Sequence, residues 1–200
     1  GWSEYNSIMN NFISISSANG NHIYGIQCAG DSTKIYNNSI HIYGPPSGSA
    51  VIEATYSTTD VDLRNNILTN NADGYTIKCM FPGNQLRASD YNCLYSSGDY
   101  LAYWNEENIT GIAQWQSTTL FDANSVESKA VFTSDTDLHT SNILCHNTGT
   151  PLAEVSYDID GEARDAVNPD IGADEFSNPT FELGDEYRAC LDESLELNAG

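Results

Sequence analysis

Apolar and polar residues alternate in short runs along the first half of the chain. Clear examples are residues 12–15 (FISI), 39–43 (SIHIY) and 50–54 (AVIEA). Alternation over four to six residues is typical of a β-strand with one buried face, because successive side chains point to opposite sides. Gly, Asn, Asp and Ser fill the intervals between the runs, as tight turns require. The pattern therefore predicts short strands joined by tight turns.

An asparagine pair flanked by apolar residues recurs along the same half. It stands at 8–13 (IMNNFI), 35–40 (IYNNSI) and 63–68 (LRNNIL), and in a weaker form at 90–95 (DYNCLY). The second Asn of each copy follows the previous one after 27, 28 and 26 residues, a period typical of stacked repeats. A leucine-rich repeat would show its own Leu frame, which is absent, and a propeller blade needs about 40 residues. We therefore predict an all-β fold, a parallel β-helix (solenoid) with one coil per period.

The asparagine pairs themselves have a structural interpretation. Asn tolerates the left-handed conformation of a tight corner. Its side-chain amide can also bond the equivalent Asn one coil away, which forms a ladder as in stacked β-structures. The predicted ladder consists of Asn11, Asn38, Asn66 and Asn92. The alternative is a line of Asn side chains that binds a sugar.

The regular pattern ends near Trp104. Ile109, Ile112 and Trp115 follow at a spacing that is typical of a helix, with Asn108 or Thr110 as candidate N-terminal caps. We predict one short helix or turn near 106–117, with Trp115 packed on the flank of the solenoid.

The last third of the chain carries a more specific motif. Residues 157–164 (YDIDGEAR) are followed by 168–176 (NPDIGADEF). This closely resembles the terminal motif of bacterial cell-surface right-handed parallel β-helix repeat proteins, the pectin-lyase-like group common in Bacteroidetes. Upstream phrases stand in the order that this group shows, at 90–95, 115–116, 122–125 and 137–139. Residues 142–149 (NILCHNTG) depart from the family pattern before Gly149.

The resemblance implies a domain organisation and a location. Residues 1–157 are expected to be coils from the C-terminal part of a longer right-handed solenoid, and 158–176 a C-terminal capping motif. Residues 177–200 resemble a linker and the truncated start of an immunoglobulin-like module. Family members are commonly secreted or attached to the bacterial outer surface, so we expect further domains of the same precursor on both sides.

The capping motif contains one arginine among many acids. Because an open solenoid end exposes unpaired strand edges, it needs a cover. We predict that Arg164 pairs with one or more of Asp158, Asp160, Asp170 and Asp174 and holds the motif over the final coil. A calcium site is the alternative, with Asp158 and Asp160 as candidate ligands, although the complete calcium-loop spacing is missing. No other cofactor is expected.

Composition narrows the classes of partner. The chain has 28 Asp and Glu against 7 Lys and Arg, for a net charge of −21. Such a surface repels phosphate backbones, which argues against nucleic acid as a partner. No run approaches the roughly 18 apolar residues of a membrane span, so membrane insertion is not expected. An acidic, folded chain rich in Asn, Ser and Thr is consistent with an extracellular protein.

No catalytic residues are predicted. The basic residues form no obvious cluster on one strand face, and Glu53, Asp60 and Asp62 are interpreted as solvated turn charges. The favoured function is therefore a non-catalytic secreted or cell-surface segment for glycan binding, adhesion or display, with an extracellular polysaccharide or surface component as partner. The alternatives are part of a polysaccharide lyase or glycoside hydrolase acting on uronate-containing glycans, and a structural spacer in an extracellular assembly.

Exposed aromatic residues would distinguish glycan binding from a spacer role, because sugar rings stack on them. More often such residues belong to the core or cover a strand face. The candidate platform residues are Tyr24, Tyr36, Tyr43, Tyr56, Tyr75, Tyr100, Tyr103 and Trp104.

Overall fold

The computed structural model describes residues 6–16, 22–46, 48–81 and 83–177, in which short strands recur once per coil and build three sheets. Sheet A consists of β1 (Asn6–Met9), β4 (Thr33–Tyr36), β7 (Val61–Arg64) and β10 (Leu86–Asp90). Sheet B consists of β2 (Phe12–Ser16), β5 (Ser39–Tyr43), β8 (Ile67–Asn70), β11 (Cys93–Ser96) and β14 (Val126–Glu127). Sheet C consists of β3 (Tyr24–Cys28), β6 (Ala50–Ala54), β9 (Tyr75–Cys79), β12 (Ala102–Trp104) and β13 (Glu107–Ile109).

The strands pair in parallel between coils, with the single exception among the described strands of the antiparallel β12–β13 pair. Each of about four coils contributes one strand to each sheet, so backbone groups bond to the coils above and below. The predicted all-β parallel solenoid is confirmed. The Asn period sets the register: Ile40 of β5 lies opposite Ile13 and Leu68 on its two neighbours.

Apolar side chains at equivalent strand positions fill the inside of the coils. In sheet C, Ile26, Ile52, Ile77 and Ala102 lie in one cross-strand file. All four belong to a single buried cluster that also receives side chains from the other two sheets. Because burial of a large aliphatic side chain contributes roughly 1.5–3 kcal/mol, each added coil stabilises its neighbours through this file.

A hairpin and a short helix close the C-terminal end of the coils. Asn105 and Glu106 have positive φ angles of 50° and 64°, as a tight two-residue hairpin turn requires, and the chain returns as β13. Helix α1 (Ile112–Thr119) follows the hairpin. Its N-cap residue is Gly111, so no side chain caps the helix. The predicted short helix is confirmed, although it starts after β13 and neither Asn108 nor Thr110 is its N-cap. The Trp115 side chain is fully buried in the core cluster.

Residues 128–177, here called the tail, run back along the outside of the solenoid. The tail helps to form a second apolar cluster, which contains Ile67, Cys93, Ala130, Cys145 and Ile171. Its 158–176 part bonds to coils one to three, through Asn10, Asn37, Ser39 and Asn65. The motif expected over the final coil thus lies along the side of the earlier coils, while α1 covers the final coil.

Residues 178–200, which include almost all of the predicted linker and immunoglobulin-like segment, lie outside the described residues. In the described part, no helix has the length and apolar character needed to cross a membrane.

Candidate functional site

The second Asn of each repeat takes part in a continuous hydrogen-bonded ladder. The side-chain Nδ2 of Asn11 donates to Oδ1 of Asn38 at 2.9 Å, Asn38 donates to Asn66 at 3.1 Å, and Asn66 donates to Asn92 at 3.1 Å. Each accepting Oδ1 also accepts a hydrogen bond from the backbone N–H of the same donor Asn, one coil earlier. Asn38, Asn66 and Asn92 are fully buried, so these amides serve the coils and are inaccessible to a sugar.

The first Asn of each pair has a different role, which was not predicted from the sequence. Asn10, Asn37 and Asn65 have positive φ angles of 62°, 50° and 55°, and their side chains reach the tail. Asn10 donates to the carbonyl of Tyr157, Asn37 to that of Gly172 and Asn65 to that of Thr150. The pairing of two Asn residues in three repeats was the sequence feature that could have predicted this role. The second Asn bonds to the neighbouring coil, and the first bonds to the tail.

Arg164 anchors the tail through partners other than those named from the sequence. Its side chain is 4% exposed, and its ion pair is with Glu175, at 3.3 Å. The guanidinium also donates to Oδ1 of Asn10 at 2.8 Å and to the carbonyl of Gly172 at 3.0 Å. Burial lowers the pKa of Arg164, and the charge of Glu175 opposes that shift.

The aspartates expected around Arg164 accept other hydrogen bonds instead. Asp158 accepts the backbone N–H groups of Asp160, Glu162 and Glu175. Asp170 accepts those of Asn147 and Phe176. Short Asp side chains reach nearby backbone donors more easily than a distant guanidinium, which leaves the ion pair to the longer Glu175.

Of the two candidate metal ligands, Asp160 lies in a polar cluster and Asp158 does not. Oδ2 of Asp160 is 2.8 Å from Nε2 of His139, whose Nδ1 contacts Asp137. These two hydrogen bonds raise the pKa of His139 to about 9. Asp174 completes the cluster, and burial raises its pKa to about 6.

Sheet C carries three tyrosines outside the core cluster, Tyr24, Tyr75 and Tyr103. The rings of Tyr75 and Tyr103 lie 5.6 Å apart, and the hydroxyl of Tyr75 donates to Asn108 at 2.8 Å. Nζ of Lys78 lies 5.8 Å from the centroid of the Tyr24 ring. These three tyrosines are partly exposed and form one face, here called the tyrosine face.

The other platform residues divide between the core and other surfaces. Tyr36 is buried, and its hydroxyl donates to Asp62. Trp104 packs edge-on against Trp115. Tyr56 is 73% exposed but stacks on Phe81. A sequence that shows only residue types could not separate these environments.

A polar line crosses the tyrosine face. Gln27, Glu53 and Lys78 occupy successive positions of one cross-strand file. Glu53 accepts Nε2 of Gln27 at 2.6 Å and Nζ of Lys78 at 2.9 Å, and it is only 7% exposed. Burial pushes the pKa of Glu53 upward, but the hydrogen bonds from Lys78 and Gln27 lower it overall. Glu53 is therefore a buried strand residue, and its interpretation as a solvated turn charge was wrong.

A shallow cleft of about 200 Å³ opens beside the tyrosine face. Tyr75 and Tyr100 line one side, and the exposed Asp73 and Asp99 supply carboxylates. The chain approaches itself closely here, since a Cβ on Gly74 would lie 2.1 Å from the carbonyl oxygen of Ser49. The cleft thus offers aromatic rings and acceptor oxygens on a rigid turn.

Three basic residues meet on sheet A, against the expectation that they form no cluster. Asp62 is 3% exposed and accepts Nε of Arg64 at 2.8 Å and Nη2 of Arg87 at 2.7 Å. Lys34 lies on the neighbouring strand opposite Asp62 and pairs with Glu154 of the tail. A register shift between Leu86 and Ala88 places Arg87 on this face, and strand spacing alone does not predict such a shift. Asp62, like Glu53, is a buried strand residue.

A groove of about 660 Å³ separates sheet B from the tail. His41, Asn71, Lys129, Phe132 and Asp135 line it. Nδ1 of His41 is buried without a hydrogen-bond partner, and burial lowers the pKa of the ring. The tail residues that enclose His41 are distant from it in sequence, so local spacing does not predict this groove.

The comparisons with known proteins add no relative. No family model matches the chain, and no curated protein or solved structure shows significant similarity.

Proposed function

We propose that this chain is a non-catalytic glycan-binding segment of a secreted or cell-surface protein. The observation that carries the proposal is the Tyr75–Tyr103 pair beside an open cleft on sheet C. Aromatic faces offer apolar area against which sugar rings stack, and the tyrosine hydroxyls add hydrogen bonds. Rigid strands hold these rings in place, so little conformational entropy is lost when a ligand binds.

The charge of the cleft favours a neutral glycan. Asp73 and Asp99 accept hydrogen bonds from sugar hydroxyls, but they repel uronate carboxylates. The net charge of −21 adds a long-range field of the same sign. The ligand is therefore expected to be a neutral polysaccharide of the extracellular space.

The buried strand carboxylates support a non-catalytic role. Glu53 is held by Lys78 and Gln27, and Asp62 by two arginines and the Tyr36 hydroxyl. A general acid or base must exchange protons with a substrate within hydrogen-bond reach. Carboxylates saturated by internal donors fit a structural role better.

Binding can be measured by affinity electrophoresis on soluble xylan, mixed-linkage β-glucan, galactomannan, pectin and alginate. Retention on a neutral polymer is expected, with a loss of at least tenfold in affinity for Tyr75→Ala/Tyr103→Ala. Tyr157→Ala is the matched control, since its ring is 62% exposed on the tail. Retention on none of the polymers, or retention equal in the double variant, would reject the proposal.

A second candidate follows from the basic cluster on sheet A. Lys34, Arg64 and Arg87 are partly exposed and could neutralise the carboxylate of a uronate, as a polysaccharide lyase requires. Pectin and alginate, with and without calcium, test this alternative through the absorbance of unsaturated products. Release that disappears in Arg87→Ala would favour the lyase; we expect no release.

A further inference from the structure

Three segments of the tail bring metal-ligating atoms together. His139, Asp160 and Asp174 each offer one ligand atom, and all three atoms lie within 4.8 Å of one another. The residues are separated by 21 and 14 positions in sequence. The Phe12 ring of β2 packs edge-on against His139, with ring centroids 4.9 Å apart. The cluster thus sits where the tail meets the first coil.

Asp174 is the unusual member of the cluster. It is 7% exposed, and no described residue donates a hydrogen bond to its carboxylate. The two ring nitrogens of His139 contact Asp137 and Asp160, so the ring has no N–H left for Asp174. Because a largely buried carboxylate without a protein donor is costly, the site favours a partner such as a cation beside Asp174.

We propose that His139, Asp160 and Asp174 bind one divalent transition-metal ion, and that the ion is Zn²⁺ or Mn²⁺. Nε2 of His139 and one oxygen of each carboxylate are the ligands. The ion satisfies the carboxylate of Asp174, replaces the proton on Nε2 and leaves positions for water. The proposal is independent of glycan binding.

The donor set selects the class of ion. An imidazole nitrogen suits Zn²⁺ and related transition metals, and carboxylates suit these ions and Mn²⁺. Ca²⁺ prefers six to eight oxygen ligands, and the carboxylate of Asp158 that would add to them is taken by three backbone N–H groups.

Asp137 lies on the far side of the His139 ring from the two aspartates. It contacts Nδ1 of His139 and, by accepting the proton there, directs the Nε2 lone pair toward the two aspartates. Metal-bound histidines usually have such an acceptor on the other nitrogen, and its loss typically weakens metal binding about 10–100-fold. Asp137 is therefore assigned as a positioning residue.

The experiment uses the full chain, stripped with chelator and then titrated separately with Zn²⁺, Mn²⁺ and Ca²⁺ by calorimetry. One-to-one binding of Zn²⁺ or Mn²⁺ is expected, with a rise in Tm by mass action. His139→Gln and Asp174→Asn should each weaken binding at least tenfold. Asp137→Asn should weaken it about tenfold without abolishing it.

Two variants serve as matched controls, and they define the contrary results. His22→Gln and Asp99→Asn change exposed residues away from the cluster and should bind like wild type. Absence of stoichiometric binding, or equal weakening in the controls, would overturn the proposal. If His139→Gln does not fold, the exposed Asp160→Asn provides the same test, and binding equal to wild type would be contrary.

Discussion

Asn92 donates its side-chain N–H to Oδ1 of Asp122 at 3.0 Å, which makes Asp122 the final acceptor of the asparagine ladder. Asp122 is 1% exposed and also accepts Oγ of Ser125 at 2.6 Å and Nε1 of Trp115 at 2.7 Å. In each step of the ladder one N–H of the amide points to the next Asn, toward this carboxylate. Asn38, Asn66 and Asn92 also donate to carbonyls of the preceding coil. A buried anion thus terminates a line of polarised hydrogen bonds and ties helix α1 to the last coil.

Replacement of Asp122 should be among the most destabilising changes in the chain. Asp122→Ala leaves the buried donors Trp115 Nε1 and Ser125 Oγ without this acceptor and removes one of the three acceptors of Asn92 Nδ2. It should cost about 3 kcal/mol or more of unfolding free energy. Asp122→Asn keeps one acceptor oxygen and should cost less. Urea denaturation provides both values, with the exposed Asp99→Asn as control. A cost below about 1 kcal/mol for Asp122→Ala would show that the ladder does not depend on its terminal anion.

Loss of Arg164 should weaken the attachment of the tail. Arg164→Met keeps much of the buried stem but removes the positive charge beside Glu175, whose carboxylate then keeps only two backbone N–H donors. It also removes the guanidinium that donates to Oδ1 of Asn10. Removal of one member of a buried ion pair typically costs about 3–5 kcal/mol. Arg164→Lys retains the charge without the planar fork, so an intermediate loss is expected. A denaturation midpoint that stays unchanged in Arg164→Met would contradict the anchoring role.

The Glu53–Lys78 pair should respond unequally to loss of its two members. Lys78→Met leaves a buried carboxylate and should cost about 3 kcal/mol at pH 7. Glu53→Gln should cost less than about 1 kcal/mol, because the side chain of Lys78 is 21% exposed and can turn toward solvent. Equal costs in thermal or urea unfolding would refute this asymmetry.

The same pair has a defined pH dependence. The pKa of Glu53 lies below its usual range in the folded state, so its stabilising contribution is present above the unfolded pKa. It is lost as the pH falls through the folded pKa. The difference between wild type and Lys78→Met should therefore shrink in acid.

His41 should make the protein less stable in mild acid. Because burial lowers its pKa below the ordinary value of 6.5, the unfolded chain takes up a proton that the folded chain rejects as the pH drops. Asp135, 4.0 Å away, opposes this shift, and Lys129 adds to it. The decrease in Tm from pH 7.5 to pH 5 should be smaller in His41→Gln than in wild type. A parallel decrease in both would show that His41 does not titrate differently on folding.

The repeat made the solenoid predictable, because local spacing determines which residues stack. Steps of 26 to 28 residues place one Asn per coil at the same corner, and alternation identifies the strands on either side. The side-chain clusters on the surface and beneath the tail were harder to predict from the sequence. Arg87 reaches the basic cluster through a register shift, and Glu175 reaches Arg164 because Asp158 and Asp170 accept nearer donors. His139, Asp160 and Asp174 meet only because the tail turns back, which no local pattern encodes.

The backward path of the tail sets an order of events during synthesis. The coils contact their immediate neighbours, so they can form one after another as the chain emerges. The tail bonds instead to the earliest coils, and Asn10 and Tyr157 are 147 positions apart in sequence. Contacts across such separations form slowly, because the loop must close before they contribute. Until the tail docks, the amides of Asn10, Asn37 and Asn65 stay open to water, and the second apolar cluster is incomplete. A chain with formed coils is thus most vulnerable to aggregation before residues 128–177 dock, which makes the docking of the tail the critical late step of folding.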